Sequence, residues 1–280
     1  MRISIVIPVY NEADELLDCL QSVFAQKIPF YEIIVVDNGS DDGTAAMAAQ
    51  FADVRVLHEP KRGVVHARNA GFSAARGDII ARIDADTRLP TDWTQQLLAG
   101  FTECSADVIT GSVQYRSIAA ARLVSITDLI WRRYMAWSLG SDVAAQGANM
   151  AIRRSTWRAI AKTTCISGEM HEDFDVAIHA RKSGATVQFY EPLVASVSYR
   201  QGVYGFVAFA RYALASPRTY LAHKRWRGIY MYQVVIFVIT LYPIIALLAR
   251  GYSQQTGEWS LARALRADGR TRLSPLMTKR

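Results

Sequence analysis

The chain has 280 residues, of which 51% are hydrophobic and 20% are charged. This composition predicts a sizeable core and excludes a wholly disordered chain. With 32 basic and 25 acidic residues, the net charge is +7. That excess is too small and too dispersed to indicate nucleic-acid binding, but it suits an anionic membrane surface or a phosphorylated ligand.

Two features argue against a secreted, disulfide-bonded protein. The cysteines are odd in number, far apart and outside any metal-ligand spacing, which is typical of reduced cytosolic thiols (Cys19, Cys104 and Cys165). Residues 1–6 run directly into a strand pattern, which leaves no room for a signal peptide.

The first part of the chain alternates short apolar runs with helical patterns. Strands are predicted over 3–9, 32–36, 54–57 and 78–83, and helices over 16–24, 44–51, 66–75 and 91–101. This order predicts a parallel, doubly wound α/β sheet that binds ligands beyond the carboxyl ends of its strands. Three polar clusters fall at such ends, at 10–12, 37–40 and 84–86.

From residue 106 to about 200 the pattern is mixed. Strands are predicted over 108–113, 149–152, 187–190 and 194–199, with helical segments between them. We interpret this region as the second half of the same domain.

Residues 229–249 carry no charge, and Gln233, Thr240 and Pro243 alone interrupt their hydrophobicity. About 20 apolar residues suffice to cross a bilayer core. Basic residues flank both ends and aromatic residues lie near them, so a membrane-embedded segment is favoured over a buried core helix. The preceding residues 204–221 form either an amphipathic interfacial helix or an ordinary surface helix.

Asp84 and Asp86 directly follow a predicted buried strand, with Ala85 between them. Two carboxylates at this spacing can serve one hard divalent cation and a sugar hydroxyl together, since Mg²⁺ favours oxygen ligands. An Asp-rich turn after a strand is also common without any ligand.

Four segments occur in a fixed order: IVIPVYNE at 5–12, IVVDNGSDDGT at 34–44, ARNAG at 67–71 and IDAD at 83–86. Together they resemble the nucleotide-sugar-binding half of the family-2 glycosyltransferases, which have the GT-A fold. The segments GANMAIRR at 147–154 and EMHEDFDVAIHARKSG at 169–184 are similar to that family's acceptor-side elements. The resemblance covers residues 1–200.

The resemblance implies a donor site built from several loops. The residues expected to line the nucleotide pocket are Pro8, Val9, Tyr10 and Glu12. The base would face Asp37 and Asn38; the family often has an Asp where Asn38 stands, but an Asn carbonyl can still accept a base N–H. Arg68 would approach the nucleotide or its diphosphate, where a guanidinium suits phosphate oxygens. Asp84 and Ala85 would contact the ribose or sugar, and Asp86 would hold Mg²⁺ or Mn²⁺.

The resemblance also implies a catalytic base, Asp173, because the family's catalytic Asp occupies the matching place. Such a base removes the acceptor proton during a single displacement that inverts the anomeric carbon. The alternative is that Glu172 and Asp173 merely complement a helix macrodipole. His171 is expected to be a surface or supporting histidine.

The tail from Glu258 to Arg280 has a net charge of +4, from six basic and two acidic residues (Arg263, Arg266, Arg270, Arg272, Lys279 and Arg280 against Glu258 and Asp268). A single crossing at 229–249 would place that tail outside, against the positive-inside tendency. The hypothesis is therefore a segment that enters and returns, or lies shallow on anionic cytosolic lipid, with Pro243 helping it bend.

A membrane-held transferase suggests a lipid-linked acceptor. Processive synthases of the broad family carry Q-x-x-R-W, whereas here Ala222 stands at the Gln position before Arg225 and Trp226. Transfer of a single sugar is therefore preferred.

These patterns predict a GT-A α/β domain over 1–200, with a nucleotide-sugar half over about 1–105 and an acceptor half over about 106–200, followed by membrane-associated helices and a basic tail over 201–280. The predicted function is an inverting, metal-dependent, hexosyltransferase-like glycosyltransferase at the cytoplasmic side of the cell membrane. The partners would be a nucleotide-diphospho-sugar and a lipid-linked acceptor, without nucleic acid. A nucleotidyltransferase and a non-catalytic, membrane-tethered nucleotide-sugar-binding protein remain the alternatives.

Overall fold

A computed structural model describes residues 1–140, 145–167, 170–199, 205–253 and 256–266. Its strands form one eight-stranded sheet in the order β3-β2-β1-β4-β7-β6-β8-β5. The strands are β1 (Ile3–Val9), β2 (Glu32–Asp37), β3 (Val54–His58), β4 (Ile79–Arg82), β5 (Thr87–Arg88), β6 (Val108–Arg116), β7 (Met150–Arg153) and β8 (Val187–Ser198).

The sheet is parallel where the sequence alternates strands with helices. Strands β3, β2, β1 and β4 pair in parallel, so their carboxyl ends meet at one edge. Beyond β4 the pairing is mixed, since β7 runs antiparallel to both β4 and β6, and β5 runs antiparallel to β8. The prediction of an α/β fold is confirmed, with more antiparallel pairing in the second half than a doubly wound sheet has.

The helices of the described residues cover both faces of the sheet and form the C-terminal region. They are α1 (Ala13–Phe24), α2 (Thr44–Ala48), α3 (Val64–Ala74), α4 (Trp93–Glu103), α5 (Ala121–Leu139), α6 (Arg154–Ile160), α7 (Glu172–Lys182), α8 (Phe206–Ala222), α9 (Met231–Arg250) and α10 (Leu261–Leu265). Short 3-10 turns lie at Gly147–Asn149 and Trp226–Tyr230.

The sheet separates two layers of buried apolar side chains. Along β1, Ile5 and Ile7 point into one layer and Val6 into the other, because successive side chains of a strand alternate. Helices α1 and α4 cover the first layer, and α3, α6 and α7 cover the second. The core therefore fixes where α7 begins, beside the carboxyl end of β4.

Three elements differ from the sequence prediction. The runs 187–190 and 194–199 belong to one strand, β8, whose register against β6 shifts between Gly111 and Ser112. The polar Glu191 and Pro192 interrupt the apolar run at this irregularity, which is why the pattern resembled two strands. The two-residue strand β5 was not predicted, and α5 was expected only as a helical segment without stated bounds between 113 and 149.

Among the described residues, one helical segment, Trp226–Arg250, is long and apolar enough to cross a membrane, with a mean hydropathy of 2.2. Only 22% of it is buried against the rest of the protein, which disfavours the alternative of a core helix. The helix α9 continues through Pro243. Tail residues 267–280 and Tyr204 lie outside the described residues.

Candidate active site

The loops that follow β1 and β2 are joined by hydrogen bonds at the parallel edge of the sheet. The Asn11 backbone N–H donates to Ser40 Oγ at 3.0 Å, and the Asn11 side chain exchanges two hydrogen bonds with Asp41, one in each direction. Asn11 has a positive φ of 53°, a conformation that Asn tolerates better than most residues. The Glu12 N–H donates to Thr44 Oγ1 at 2.9 Å, which fixes the start of α1 against α2.

Asp37 and Asn38 end β2 and shape the loops around them. The buried Asp37 carboxylate accepts from the Ser40 N–H at 3.1 Å and lies 3.2 Å from His58 Nδ1. The Asn38 amide donates to the carbonyls of Glu59 and Lys61 and accepts from the Gly63 N–H at 2.7 Å. Both amide hydrogens of Asn38 are thus used within the protein, and its contact with a base stays a prediction.

The residues predicted from the first segment lie at different depths. Tyr10 is exposed, and the Arg62 guanidinium lies over its ring at 4.1 Å from the centroid. Pro8 is partly buried, whereas the side chains of Val9 and Ala85 belong to the hydrophobic core. Any contact of Val9 or Ala85 with a ligand would therefore be made through backbone atoms.

Asp84 and Asp86 follow β4, as the sequence predicts. The Asp84 carboxylate is partly exposed and accepts from Arg82 Nη2 at 3.2 Å, while its N–H donates to Thr87 Oγ1. Asp86 is buried, and its carbonyl accepts from the Arg116 guanidinium. Burial, followed by the charges of Asp86 and Asp84, raises the pKa of the Cys19 thiol, so both carboxylates lie near this buried side chain.

The first turn of α7 lies on the other side of Arg82. Glu172 Oε1 accepts from Arg82 Nη1 at 2.5 Å, and Glu172 Oε2 lies 3.3 Å from Arg68 Nη1. All three side chains are buried, and Arg68 also donates to the Glu172 carbonyl at 2.8 Å. Burial alone would raise the pKa of Glu172, but the two guanidinium groups outweigh it and hold the pKa below its ordinary value.

Asp173 is partly buried beside this cluster. One carboxylate oxygen accepts from the Gly147 N–H at 2.9 Å, and the other accepts from the Phe174 N–H at 2.9 Å. Burial and the neighbouring negative charge of Glu172 raise the pKa of Asp173 above its ordinary value. A carboxylate with a raised pKa is a better proton acceptor near neutral pH.

The predicted residues therefore form two groups. Arg82 connects Asp84 with Glu172, and the charge of Asp173 also acts on it, so these side chains lie around one guanidinium. The β1 and β2 loops carry Tyr10, Glu12, Asp37 and Asn38 at the same parallel edge. Arg68, which is 1% exposed, lies beneath α7 instead of at the open edge.

Three residues near the site were not predicted from the sequence: Arg82, Arg62 and Gly147. Arg82 carried a usable signal, because it is a charged residue at the end of an otherwise apolar strand, and such a charge needs a buried partner. A Cβ added to Gly147 would collide with the Arg82 guanidinium, so the close approach requires glycine. His171 is buried, and its ring contacts the rings of Phe174 and Tyr212.

The family model described as Glycosyl transferase family 2 matches residues 4–159, more than half of the chain. The chain belongs to glycosyl transferase family 2. This family is the one that the sequence motifs resemble, and the assignment disfavours nucleotidyl transfer. The match contains the β1, β2 and β4 loops described above.

Curated relatives share about a third of their aligned residues with this family 2 chain. Glycosyltransferase AglE of Haloferax volcanii is 31% identical over 163 residues, which cover 54% of this chain and 52% of that protein. Undecaprenyl-phosphate 4-deoxy-4-formamido-L-arabinose transferase of Klebsiella pneumoniae is 32% identical over 174 residues, which cover 59% and 47%. The chain thus matches about half of the length of these relatives.

Solved structures show the same fold at low identity. Mannosyltransferase PcManGT from Pyrobaculum calidifontis, in complex with GDP-Man and Mn²⁺, has a TM-score of 0.66 and 19% identity, covering 94% of this chain and 77% of that one. S. aureus TarS 1–349 has a TM-score of 0.57 and 14% identity, covering 79% and 65%. The predicted GT-A fold is confirmed.

Proposed function

We propose that this family 2 glycosyltransferase moves one sugar, with inversion, from a nucleotide-diphospho-sugar to a hydroxyl of a lipid-linked acceptor at the cytosolic membrane face. The observation that carries the proposal is the position of Asp173 at the start of α7. Its pKa is raised, and it lies across the buried Arg82 from the carboxylates that follow β4. A proton acceptor and a group of donor-side carboxylates thus share one edge.

The proposed domain organisation follows the sheet. Residues 1–105 contain β1 to β5 and α1 to α4, and they would bind the donor. Residues 106–200 contribute β6 to β8 and α7, and they would present the base to the acceptor. Residues 201–280 would hold the enzyme at the membrane.

The donor would lie over the loops that follow β1, β2 and β4. Tyr10 and Glu12 on one loop and Asp37 and Asn38 on the next are held together by the hydrogen bonds of Asn11. The exposed Tyr10 ring, with Arg62 against it, offers a stacking surface for a base. Pro8, Val9 and Ala85 would shape the floor of this pocket.

In the proposed mechanism, Asp173 accepts the acceptor hydroxyl proton as that oxygen attacks the anomeric carbon. Gly147 and the N-terminal turn of α7 fix its carboxylate through two backbone N–H groups. The neighbouring Glu172 stays ionised between its two arginines and raises the proton affinity of Asp173. Attack from the side opposite the leaving diphosphate inverts the anomeric carbon.

The residues after β4 fit a divalent cation. Asp84 and Asp86 supply carboxylate oxygens, which Mg²⁺ and Mn²⁺ prefer, and Asp84 is partly exposed toward the edge where a diphosphate would lie. Asp86 is our candidate ligand. When bound, such a cation would neutralise negative charge on the leaving diphosphate. The PcManGT complex contains Mn²⁺, which supports this assignment.

Three helices support the membrane assignment. Helix α9 exposes the apolar side chains of Ile236, Phe237 and Ile244, and α8 exposes Phe206 and Val207 at its start. Helix α5 exposes a further apolar stripe at helical spacing, formed by Leu123, Ile126, Ile130 and Trp137. The Trp131 and Phe237 rings, 5.3 Å apart, join α5 to α9. An exposed apolar surface of this extent is typical of a membrane contact. The K. pneumoniae relative, named as an undecaprenyl-phosphate transferase, supports a lipid-linked acceptor.

The test combines donor binding and transfer. Thermal shifts with nucleoside diphosphates, with and without Mn²⁺, identify the base, because a ligand of the native state raises its apparent stability. The matching nucleotide-sugars are then assayed for transfer to polyprenyl-phosphate acceptors. Asp173→Asn is expected to keep nucleotide binding and to lose at least about 100-fold in transfer rate.

The matched control is Asp78→Asn, which removes the charge of an exposed carboxylate. Asp78 pairs with Arg2 and is well separated in sequence from Asp173, the proposed base. The Asp78→Asn variant is expected to transfer sugar at the wild-type rate. Undiminished transfer by Asp173→Asn would remove Asp173 from the mechanism. A retained anomeric configuration in the product would contradict the single displacement.

A further inference from the structure

A second cluster of titratable side chains lies further along α7 than Glu172 and Asp173, and the proposed chemistry does not involve it. It consists of Cys165, Asp175, His179 and His223, and the potential ligand atoms of the four all lie within 4.8 Å of one another. Three segments supply them: the loop after α6, one face of α7 and the end of α8. Glycosyl transfer as proposed above uses none of these residues.

We propose that these four side chains form a structural zinc site. Zinc in structural sites takes four protein ligands in a tetrahedron, drawn from Cys sulfur, His nitrogen and carboxylate oxygen. The cluster supplies one sulfur, one oxygen and two nitrogens. This set differs from the carboxylates after β4, which suit a hard cation such as Mg²⁺.

Four of the six distances among the ligand atoms lie close to those of a tetrahedron, and all six are within 4.8 Å. Metal–ligand bonds of about 2.0–2.3 Å place neighbouring ligand atoms about 3.3–3.6 Å apart. Cys165 Sγ lies 3.9 Å from both His179 Nε2 and His223 Nε2. Asp175 Oδ1 lies 3.4 Å from His179 Nε2 and 2.8 Å from His223 Nε2. Each of these distances reaches the tetrahedral value with a shift of about half an ångström or less.

The local scaffold already orients the ligands. Asp175 and His179 are four residues apart on α7, so they point from the same helix face. The second carboxylate oxygen of Asp175 accepts from the Cys165 N–H at 2.8 Å, which ties the loop to the helix and resembles the outer hydrogen bonds of metal ligands. Asp175 is 1% exposed, so its charge needs compensation within the protein.

The charges balance when zinc binds. The Cys165 thiol releases its proton to solvent, and the thiolate and the Asp175 carboxylate together match the two positive charges of the ion. The two histidines bind as neutral imidazoles, with the His223 proton on Nδ1. Lys182, whose Nζ lies 2.9 Å from that Nδ1, turns outward, which its exposed position allows. The negative charge of the buried Asp175 is then part of a neutral complex.

A zinc ion bound at this site would stabilise the position of α7, the helix that carries the candidate base. Helix α7 begins with Glu172 and Asp173, and the proposed ligands hold its middle against the end of α8 and the loop after α6. The same interface contains a hydrogen bond from the His171 N–H to Thr219 Oγ1 at 3.0 Å. Zinc would therefore join the active-site helix to the C-terminal helices.

The test uses the full-length protein, purified in detergent and loaded with zinc. We expect one equivalent of zinc by mass spectrometry after removal of free metal, and a lower Tm once a chelator extracts it. Replacement by Co²⁺ is expected to give the intense visible bands of a tetrahedral site together with a thiolate-to-metal charge-transfer band. None of these readouts depends on sugar transfer, so the proposed function can fail without affecting them.

Two cysteine variants provide the comparison. Cys165→Ser is expected to abolish the charge-transfer band and to weaken zinc binding by more than the roughly 10–100-fold that loss of an outer-sphere partner causes. Cys104→Ser, which removes another partly buried free thiol, is expected to bind zinc as the wild type does. If Cys165→Ser fails to fold, the cobalt spectrum of the wild type still decides. Less than stoichiometric zinc after loading, or a cobalt spectrum without a thiolate band, would overturn the proposal.

Discussion

Replacing Glu172 by Gln tests whether the buried charge cluster stabilises the start of α7. Glu172 lies between two guanidinium groups, 2.5 Å from Arg82 Nη1 and 3.3 Å from Arg68 Nη1. The glutamine keeps the size of the side chain and removes its negative charge. Among the described residues, Arg82 then keeps one ion-pair partner, the partly exposed Asp84, and the buried Arg68 keeps the carbonyl of residue 172.

Glu172→Gln should lower the free energy of unfolding strongly, because the buried guanidinium groups of Arg68 and Arg82 cannot reach water. Removing one partner of a buried ion pair costs about 3–5 kcal/mol. For a domain of this size, each kcal/mol shifts the Tm by about 2–4 °C, so we expect Glu172→Gln to lower it by roughly 6–20 °C. The matched control is Glu191→Gln, since Glu191 pairs with Arg133 at a similar 2.6 Å but on the surface. Exposed pairs contribute at most about 1 kcal/mol, so the Tm of Glu191→Gln should change by about 4 °C or less.

The pH dependence supplies a second check. The pKa of Glu172 is lower in the folded than in the unfolded protein, so its stabilisation is present above the unfolded pKa and is lost as the pH falls through the folded one. Differential scanning fluorimetry should therefore show the two proteins converging in Tm as the buffer is made more acidic. An equal Tm shift for Glu172→Gln and Glu191→Gln at neutral pH would refute the reasoning.

Three further outcomes follow from the same geometry. Burial and Glu172 raise the pKa of Asp173, so the transfer rate should fall in acid with a midpoint above the ordinary Asp pKa of about 3.9. A midpoint at or below that value in a pH–rate profile would contradict the assignment of Asp173 as the base. Gly147→Ala should lower the free energy of unfolding in denaturant titration by about 1–3 kcal/mol, because the added Cβ would displace the Arg82 guanidinium. A free energy of unfolding equal to that of the wild type would show that Arg82 can move aside. Arg68→Lys should lower the Tm and the transfer rate but leave the nucleotide Kd unchanged, because Arg68 contacts Glu172. Weaker nucleotide binding at an unchanged Tm would instead favour a contact between Arg68 and the diphosphate.

The first half of the fold was predictable because its strands are buried on both faces. Such strands appear in sequence as continuous β-branched runs, and the prediction for 3–9 has the same bounds as β1. The polar clusters after β1, β2 and β4 could also be placed, since the carboxyl ends of parallel strands share one edge. The second half combines antiparallel pairing with an irregular strand, and neither leaves a clear period in the sequence.

The contacts within the site could not be predicted from local patterns. Arg82 and Glu172 are 90 residues apart in sequence, and Arg68 and Glu172 are 104 apart. No periodicity links such positions, and the prediction that Arg68 approaches the nucleotide or its diphosphate rests on the family resemblance alone. The cluster of Cys165 was hidden for the same reason, because cysteine spacing alone does not reveal ligands on α7 and α8.

Both clusters act on one helix, and this limits how the candidate base can move. Arg82 and Arg68 hold the first turn of α7 through Glu172, while Cys165 and His223 contact its middle through Asp175. A carboxylate placed between two such attachments keeps its position while donor and acceptor bind and leave. Electrostatic catalysis requires this rigidity, since a group that is already oriented does not have to reorganise during the reaction. In the proposed mechanism, the buried charges around α7 would thus serve the chemistry by fixing the candidate base Asp173, even where they touch no substrate.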